Sequence, residues 1–306
     1  MIVCFDIGGS AIKGAIVHSR DRIFPLPRRT TPLTNFRQFV QALESVLDEA
    51  GGHPACVAIS ITGVIDPETQ RIKCANIPCI DGRELVAELE AALHLPVKIA
   101  NDADCFALAE AGAGAGRGHR IVFGAILGTG VGGGLVIDGR LINADGGFAG
   151  EWGHGPAIAA EAGDPPIAIP AYACGCGQKR CVDTVGGARG LERLHQTAHG
   201  KTLSSHEIIE AWKTGDAEAK RTVDLLVDLV SSPLALVINI TGATIVPVGG
   251  GLSNAEELLA EIDRAVRSRI LRQFDRPLVV QFVYWVGQLS TGDFGNSIYL
   301  ERPVLG

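Results

Sequence analysis

Apolar positions early in the chain come in short unbroken runs rather than at helical spacing. Residues 2–6 (Ile-Val-Cys-Phe-Asp) predict a buried strand, 7–10 (Ile-Gly-Gly-Ser) a turn, and 11–17 a returning strand. The period then changes. Over 35–50, Phe36, Phe39, Val40, Leu43, Val46 and Leu47 fall on one helical face, and Gly51-Gly52 stops the pattern. Residues 57–62 predict a second buried strand and 84–94 an amphipathic helix ending before Pro96. A strand over 97–100 runs into Asn101-Asp102, and 103–111 reads as a helix.

The stretch 112–118 (Gly-Ala-Gly-Ala-Gly-Arg-Gly) has no period and reads as a hinge or linker. Beyond it the opening pattern returns: a strand at 121–127, a glycine turn at 128–134, a strand at 135–137 and a hairpin at Asp138-Gly139. Helical patterns follow at 216–240 and 254–271, separated by a strand from Thr244 that ends in Gly249-Gly250-Gly251. A strand–glycine-turn–strand unit thus occurs twice. The expected division is an N-terminal α/β lobe over 1–117, a C-terminal α/β lobe over 118–288, and a tail over 289–306. The expected arrangement is two similar lobes facing each other across a cleft.

The 306 residues are 46% apolar, which is enough for sizeable cores in two lobes. A formal charge of −7 argues against nucleic acid as a partner, so an anionic ligand would need local backbone dipoles or a metal ion. The opening apolar run is too short for a signal peptide, and no stretch of about 18 uninterrupted apolar residues predicts a membrane span. A soluble, cytoplasmic protein is expected. Both glycine turns bring backbone N–H groups together without a Cβ in the way, an arrangement that favours anionic oxygens. In the first, Gly8, Gly9 and the Ser10 hydroxyl could hold phosphate and Asp6 could hold Mg²⁺ through water, with Lys13 nearby. The second contains Gly128-x-Gly130-x-x-Gly133, but a strand pattern follows it where a dinucleotide fold needs a helix. There is no P-loop either. Two glycine hairpins suit a polyphosphate held from both sides, as in ATP clefts of the actin–hexokinase type.

Three of the eight cysteines crowd into Cys174-Gly-Cys176-Gly-Gln-Lys-Arg-Cys181. Without a secretory signal, such spacing points to a metal rather than a disulfide framework. Zinc takes four nitrogen or sulfur ligands, and His154 in Glu151-Trp-Gly-His154 is the best fourth. The remaining histidines, His195 and His199 among them, read as surface or loop residues.

Taken together, Asp6–Ser10, Asn101-Asp102, 127–134, Glu151–His154, Cys174–Cys181 and Gly249–Leu252 resemble the ROK family of bacterial sugar kinases and repressors. The stretches 101–108 and 126–134 most resemble its N-acetylglucosamine kinases. The resemblance implies an actin/hexokinase-like (ribonuclease H-like) α/β fold and ATP-dependent phosphorylation of the 6-hydroxyl of N-acetylglucosamine. Glucose, N-acetylmannosamine and fructose are alternative acceptors, and an inactive sugar-binding relative is a further alternative. It implies Asp102 as general base, although a helix cap is the plainer reading of Asp102 taken alone. It implies sugar contacts from Asn76, Asn101, Glu151, His154 and Asp183, and a structural zinc on His154, Cys174, Cys176 and Cys181. ATP and Mg²⁺ would be held by Asp6, Gly8, Gly9, Ser10, Lys13, Gly128, Thr129 and Gly130, with Gly249, Gly250 and Gly251 bordering adenosine. A homodimer is implied too. Repressors of the family carry a DNA-binding segment before the first hairpin, whereas five residues precede Asp6 here. Three departures stand out. Arg180 replaces a glycine before the last cysteine and would strain the loop if that position needs positive φ. Asp183 is a methylene shorter than the usual glutamate. In the tail, Gly292–Ser297 only partly matches the family's terminal helix.

Overall fold

The computed structural model describes residues 1–19, 22–271 and 278–281, together with 296–297 and 302–303. The expected tail therefore lies mostly outside the described residues. The chain forms two compact units. One contains Met1–Cys105 and Asn143–Phe148, the other Phe106–Ile142 and Ala149–Phe282, so the division falls between Cys105 and Phe106 rather than at the glycine stretch 112–118.

The first unit opens with β1 (Ile2–Ile7) and β2 (Ala11–Ser19), continues through β3 (Arg22–Pro25), β4 (Arg29–Thr30), α1 (Phe36–Ala50), β5 (Val57–Ile61), β6 (Val64–Ile65), β7 (Ile72–Lys73) and α2 (Leu85–Leu93), and reaches β8 (Val97–Asn101). Its sheet has the order β3-β2-β1-β5-β8, with β4 also on β2. β1 and β2 are antiparallel, and β5 and β8 extend the sheet in parallel. Alternation places Val3, Phe5, Ile7, Val57, Ile59 and Ile61 in the core with Phe39, Leu43 and Val46 of α1 and Leu85 and Leu89 of α2. Asn35 caps α1 by accepting from the Gln38 amide at 3.1 Å. Gly14 in β2 is what lets α1 approach, because a Cβ there would lie 2.5 Å from Val46.

α3 (Asp102–Ala113) leaves β8 directly, and the unit division falls inside it. The second unit continues with β9 (Ile121–Leu127), β10 (Val131–Ile137), β11 (Arg140–Leu141), the small pair β12 (Glu161–Ala162) and β13 (Ile167–Ala168), then α4 (Ala188–His199), α5 (Ser205–Lys213), α6 (Ala217–Thr241), β14 (Val246–Gly249), α7 (Glu256–Arg267) and β15 (Val279–Gln281). The sheet order, β11-β10-β9-β14-β15, repeats the first unit's plan: an antiparallel hairpin extended by parallel strands. The twofold repetition of strand, glycine turn and strand in the sequence is therefore a repetition of sheets. Phe123, Leu127, Val223, Leu226, Leu234, Leu258 and Ile262 are central to its core. α6 is long and apolar enough to cross a membrane by length and composition, but 56% of that stretch is buried in the protein.

Two helices, α4 and α5, have no counterpart in the sequence reading. The glycines Gly186, Gly187 and Gly190 make the start of α4 look like a loop, yet a Cβ on Gly190 would overlap the Val185 backbone, so that glycine is there for close packing. Consequently His195, expected at the surface, is a core residue at 1% exposure, with Nδ1 2.8 Å from Thr222 Oγ1.

Candidate active site

In the first unit the carboxyl ends of β1, β5 and β8 lie side by side, with Asp6 opposite Ser60 and Ile61 opposite Asn101. In open α/β sheets this edge is where ligands gather. Asp6 is the penultimate residue of β1, just before the turn formed by Gly8, Gly9 and Ser10. Its carboxylate meets Lys13 Nζ at 3.0 Å, both side chains being partly exposed, because Asp6 and Lys13 are cross-strand partners. The turn is closed by the Gly8 amide donating to Ala11 O at 3.0 Å and held from outside by Thr31, whose hydroxyl donates to Gly8 O at 2.7 Å. Thr31 is 97% buried, and nothing in its sequence neighbourhood marked it. A Cβ on Gly8 would meet nothing within 4 Å, whereas one on Gly9 would lie 3.1 Å from Asn76 O. The segment bearing Asn76 therefore packs against the turn through its backbone.

Asn101 and Asp102 sit where β8 becomes α3. Asn101 donates from Nδ2 to Gly63 O at 3.0 Å and accepts from the Ala103 amide at 2.8 Å, so it ties the strand end to the neighbouring loop and caps the helix at once. Asp102 Oδ1 shares that amide at 2.9 Å. The helix-capping contact of Asp102 is thus made by Asn101 as well. Cys105, one turn on, is half-buried and bonds Ser60; desolvation pushes its thiol up to about 11, and Asp104, Asp102 and Asp6 add to the shift.

In the second unit the turn at Gly128–Gly130 is flanked by two backbone segments, one bearing Gly187 and Ala188 and one bearing Gly250. A Cβ on Gly250 (φ 93°) would lie 2.5 Å from Gly128 N, and one on Gly187 would lie 2.8 Å from Gly130 Cα. Ala188, the first residue of α4, donates to Gly128 O at 2.8 Å. Gly251 has open space where a Cβ would stand. Glycine is required at 187 and 250 because the backbones touch, and at 130 because a Cβ would overlap the Asp183 carboxylate; the turn that results offers backbone N–H groups fit for a phosphate chain.

Glu151 and His154 lie on a loop pinned by Trp152. Its indole N–H donates to Gly132 O at 2.7 Å, and its ring meets Phe123 edge-on at 6.2 Å. His154 Nε2 is 3.7 Å from Glu151 Oε2, and His154 Nδ1 faces Cys174 Sγ at 3.6 Å. Burial raises the Glu151 carboxyl; His154 opposes the shift and Asp183 adds to it. The ligand atoms of His154, Cys174, Cys176 and Cys181 all lie within 4.8 Å of one another. Among these thiols, backbone hydrogen bonding at Gln178 pulls Cys176 down to about 7, while burial pushes Cys174 up to about 12. One acidic thiol and tightly grouped soft donors fit a tetrahedral metal ion. Asp183 accepts from the Val131 amide at 2.8 Å with Oδ1, and Cys174 Sγ is 3.6 Å from its Oδ2, so it links the glycine turn to the cysteine cluster. Arg180 has φ 62°, the left-handed conformation expected to strain it. Its guanidinium reaches Ala159 O at 3.4 Å and Ile169 O at 3.5 Å.

Two glycine cradles on duplicated sheets, an Asn-Asp pair at a strand end and a Cys₃His cluster define one class of protein. A model of the ROK family matches residues 2–300, and the chain belongs to that family, with its actin/hexokinase-like α/β fold. Among curated relatives, the N-acetylgalactosamine kinase AgaK of Shewanella sp. (strain ANA-3) is 35% identical over 295 residues, covering 95% of this chain and 92% of the relative. The N-acetyl-D-glucosamine kinase of Pasteurella multocida (strain Pm70) is 32% identical over 287 residues, covering 92% and 93%. Among solved structures, the ROK hexokinase from Thermus thermophilus superposes with a TM-score of 0.77 at 26% identity, covering 94% of each chain. A ROK family glucokinase from Streptomyces griseus, in complex with glucose and AMPPNP, gives 0.72 at 26% identity, covering 94% and 96%.

Proposed function

We propose that the protein is an ATP-dependent kinase that phosphorylates the 6-hydroxyl of N-acetylglucosamine in the cytoplasm. The observation that carries this is Asp102, set at the end of β8 by the hydrogen bonds of Asn101, in a chain 32–35% identical to N-acetylhexosamine kinases over about nine-tenths of its length. The sugar 6-oxygen attacks the γ-phosphorus as its proton passes to the Asp102 carboxylate. The bond to the β,γ-bridging oxygen breaks and ADP leaves. Catalysis is then mainly positioning and charge neutralisation. Gly8, Gly9 and Ser10 in the first unit, and Gly128, Thr129 and Gly130 in the second, bind the phosphates. Gly249, Gly250 and Gly251 border the adenosine. Asp6 would hold Mg²⁺, which would supply charge neutralisation, with Lys13 turning from Asp6 to phosphate. Asn76, Asn101, Glu151 and His154 contact the sugar, His154 through Nε2. His154 Nδ1, Cys174, Cys176 and Cys181 would hold a structural zinc. Asp183 serves the sugar through its position between turn and cluster, bridged by water. By family resemblance the protein is a homodimer.

A second reading has a specific observation behind it: the relative at 35% identity is named for N-acetylgalactosamine, the 4-epimer. A coupled ADP-release assay with Mg-ATP and N-acetylglucosamine, N-acetylgalactosamine, N-acetylmannosamine, glucose and fructose decides. The highest kcat/KM on N-acetylglucosamine supports the proposal. Preference for another acceptor keeps the chemistry and replaces the substrate, and no turnover on any of them overturns the kinase.

A further inference from the structure

A ring of hydrogen bonds surrounds the start of α3 in the first unit. Asn101 bonds Gly63 O, and two residues further on Ile65 O accepts from the Gly147 amide at 2.8 Å. Gly147 belongs to 143–148, a short strap that the chain lays on this unit between two stretches of the other. At the head of the strap, Asn143 Nδ2 donates to both carboxylate oxygens of Asp104, at 3.2 and 3.0 Å. Asp104 is the third residue of α3, so the ring closes through the helix turn that begins with Asp102. The pair is deeply placed, Asp104 at 3% and Asn143 at 8% exposure, although a carboxylate is costly to bury. Apolar burial does not hold the strap, since Ala144 and Asp145 are exposed and Phe148 is 68% exposed. Its backbone is cut to fit: Gly146 (φ 93°) would set a Cβ 2.6 Å from Ile65 O, and Gly147 (φ 129°) one 2.8 Å from Asn143 Oδ1. From Phe148 the chain needs three more residues to reach Glu151.

We propose that Asp104 and Asn143 are positioning residues for phosphoryl transfer: together they tether the strap to the turn bearing Asp102 and so fix the point from which the Glu151–His154 loop departs. Neither touches substrate. The inference rests on the reading of Asp102 as base and of Glu151 and His154 as sugar contacts. It assigns a catalytic consequence to a polar pair that packing alone would not require.

The test uses the full chain with Asp104→Ala, the milder Asp104→Asn, Asn143→Ala, and the exchanged double variant D104N/N143D, in which an amide at 104 donates to a carboxylate at 143. Two readouts are taken: sugar and ATP KM with kcat, and hydrogen–deuterium exchange of the 143–148 amides without ligands. Asp104→Ala and Asn143→Ala should raise the sugar KM about tenfold or more, leave the ATP KM within about twofold, and speed Gly147 exchange about tenfold. Asp104→Asn should fall between these and wild type, and the exchanged pair should return the sugar KM to within about threefold of wild type. Equal rises in both KM values, unchanged exchange, or an exchanged pair no better than its single variants would each overturn the proposal. Wild-type protein inactive on every sugar would instead overturn the kinase reading and the positioning role with it, while accelerated exchange in the variants would still establish the tether.

Discussion

Glu110 makes the fold sensitive to pH. It lies in α3 at 2% exposure, and the glycine stretch after the helix closes over it, Gly114 against its carboxylate and the Ala115 amide donating to it at 2.9 Å. Burial raises its carboxyl from an ordinary 4.5 to about 7, with the Ala115 bond opposing the shift. Between those values the folded chain holds a proton that the unfolded chain has released. Stability is therefore full below pH 4.5 and lost as pH rises through about 7. At about 1.36 kcal/mol per pH unit, the ionised form carries about 3 kcal/mol against folding at pH 8. Glu110→Gln keeps an acceptor for Ala115 and cannot ionise. Relative to wild type it should gain about 3 kcal/mol between pH 4.5 and 8, over any constant offset from its amide N–H groups. Urea unfolding of both proteins at half-unit pH steps reads this difference. His195, whose neutral form is favoured first by burial and then by His199, destabilises both proteins alike on acidification below about 6.5 and cancels. A wild-type-to-variant gap that stays constant from pH 4.5 to 8 would refute the argument.

Asp102→Asn should lower kcat by about 10² to 10⁴ while sugar binding, followed by calorimetry, stays within a few fold; near-full turnover would remove Asp102 as the base. Purified protein should contain one zinc per chain by elemental analysis, and Cys181→Ser should lose it and lower Tm by several degrees. Arg180→Gly should be more stable than Arg180→Ala by about 1 kcal/mol, because alanine keeps the φ of 62° that glycine adopts freely. Equal stabilities of the two in thermal melts would show that the loop relaxes around position 180.

Local rules made much of this protein legible from its sequence. Alternating and unbroken apolar runs gave β1, β2, β5 and β9 because strand pairing is dictated by which face must leave water, and the 3.6-residue period with Asn35 and Gly51 gave α1. Glycine clusters marked the two turns whose backbones the structure leaves closely packed, and cysteine spacing with a nearby histidine marked the four donors that come within 4.8 Å of one another, since few other arrangements use those residue types so densely. Even the φ of Arg180 was foreshadowed by the residue it replaces. What escaped depended on neighbours distant in the chain. Gly190 looks like a loop residue until Val185 is seen against it, and His195 looks polar until α4 is docked on α6. Thr31 gains its role only when β4 pairs with β2 and brings its hydroxyl to Gly8. Asp104 and Asn143, 39 residues apart, become partners only because the chain returns to its first unit for six residues. Sequence period determines which face of an element is buried; which polar group waits on the other side of a burial is decided only when the elements pack.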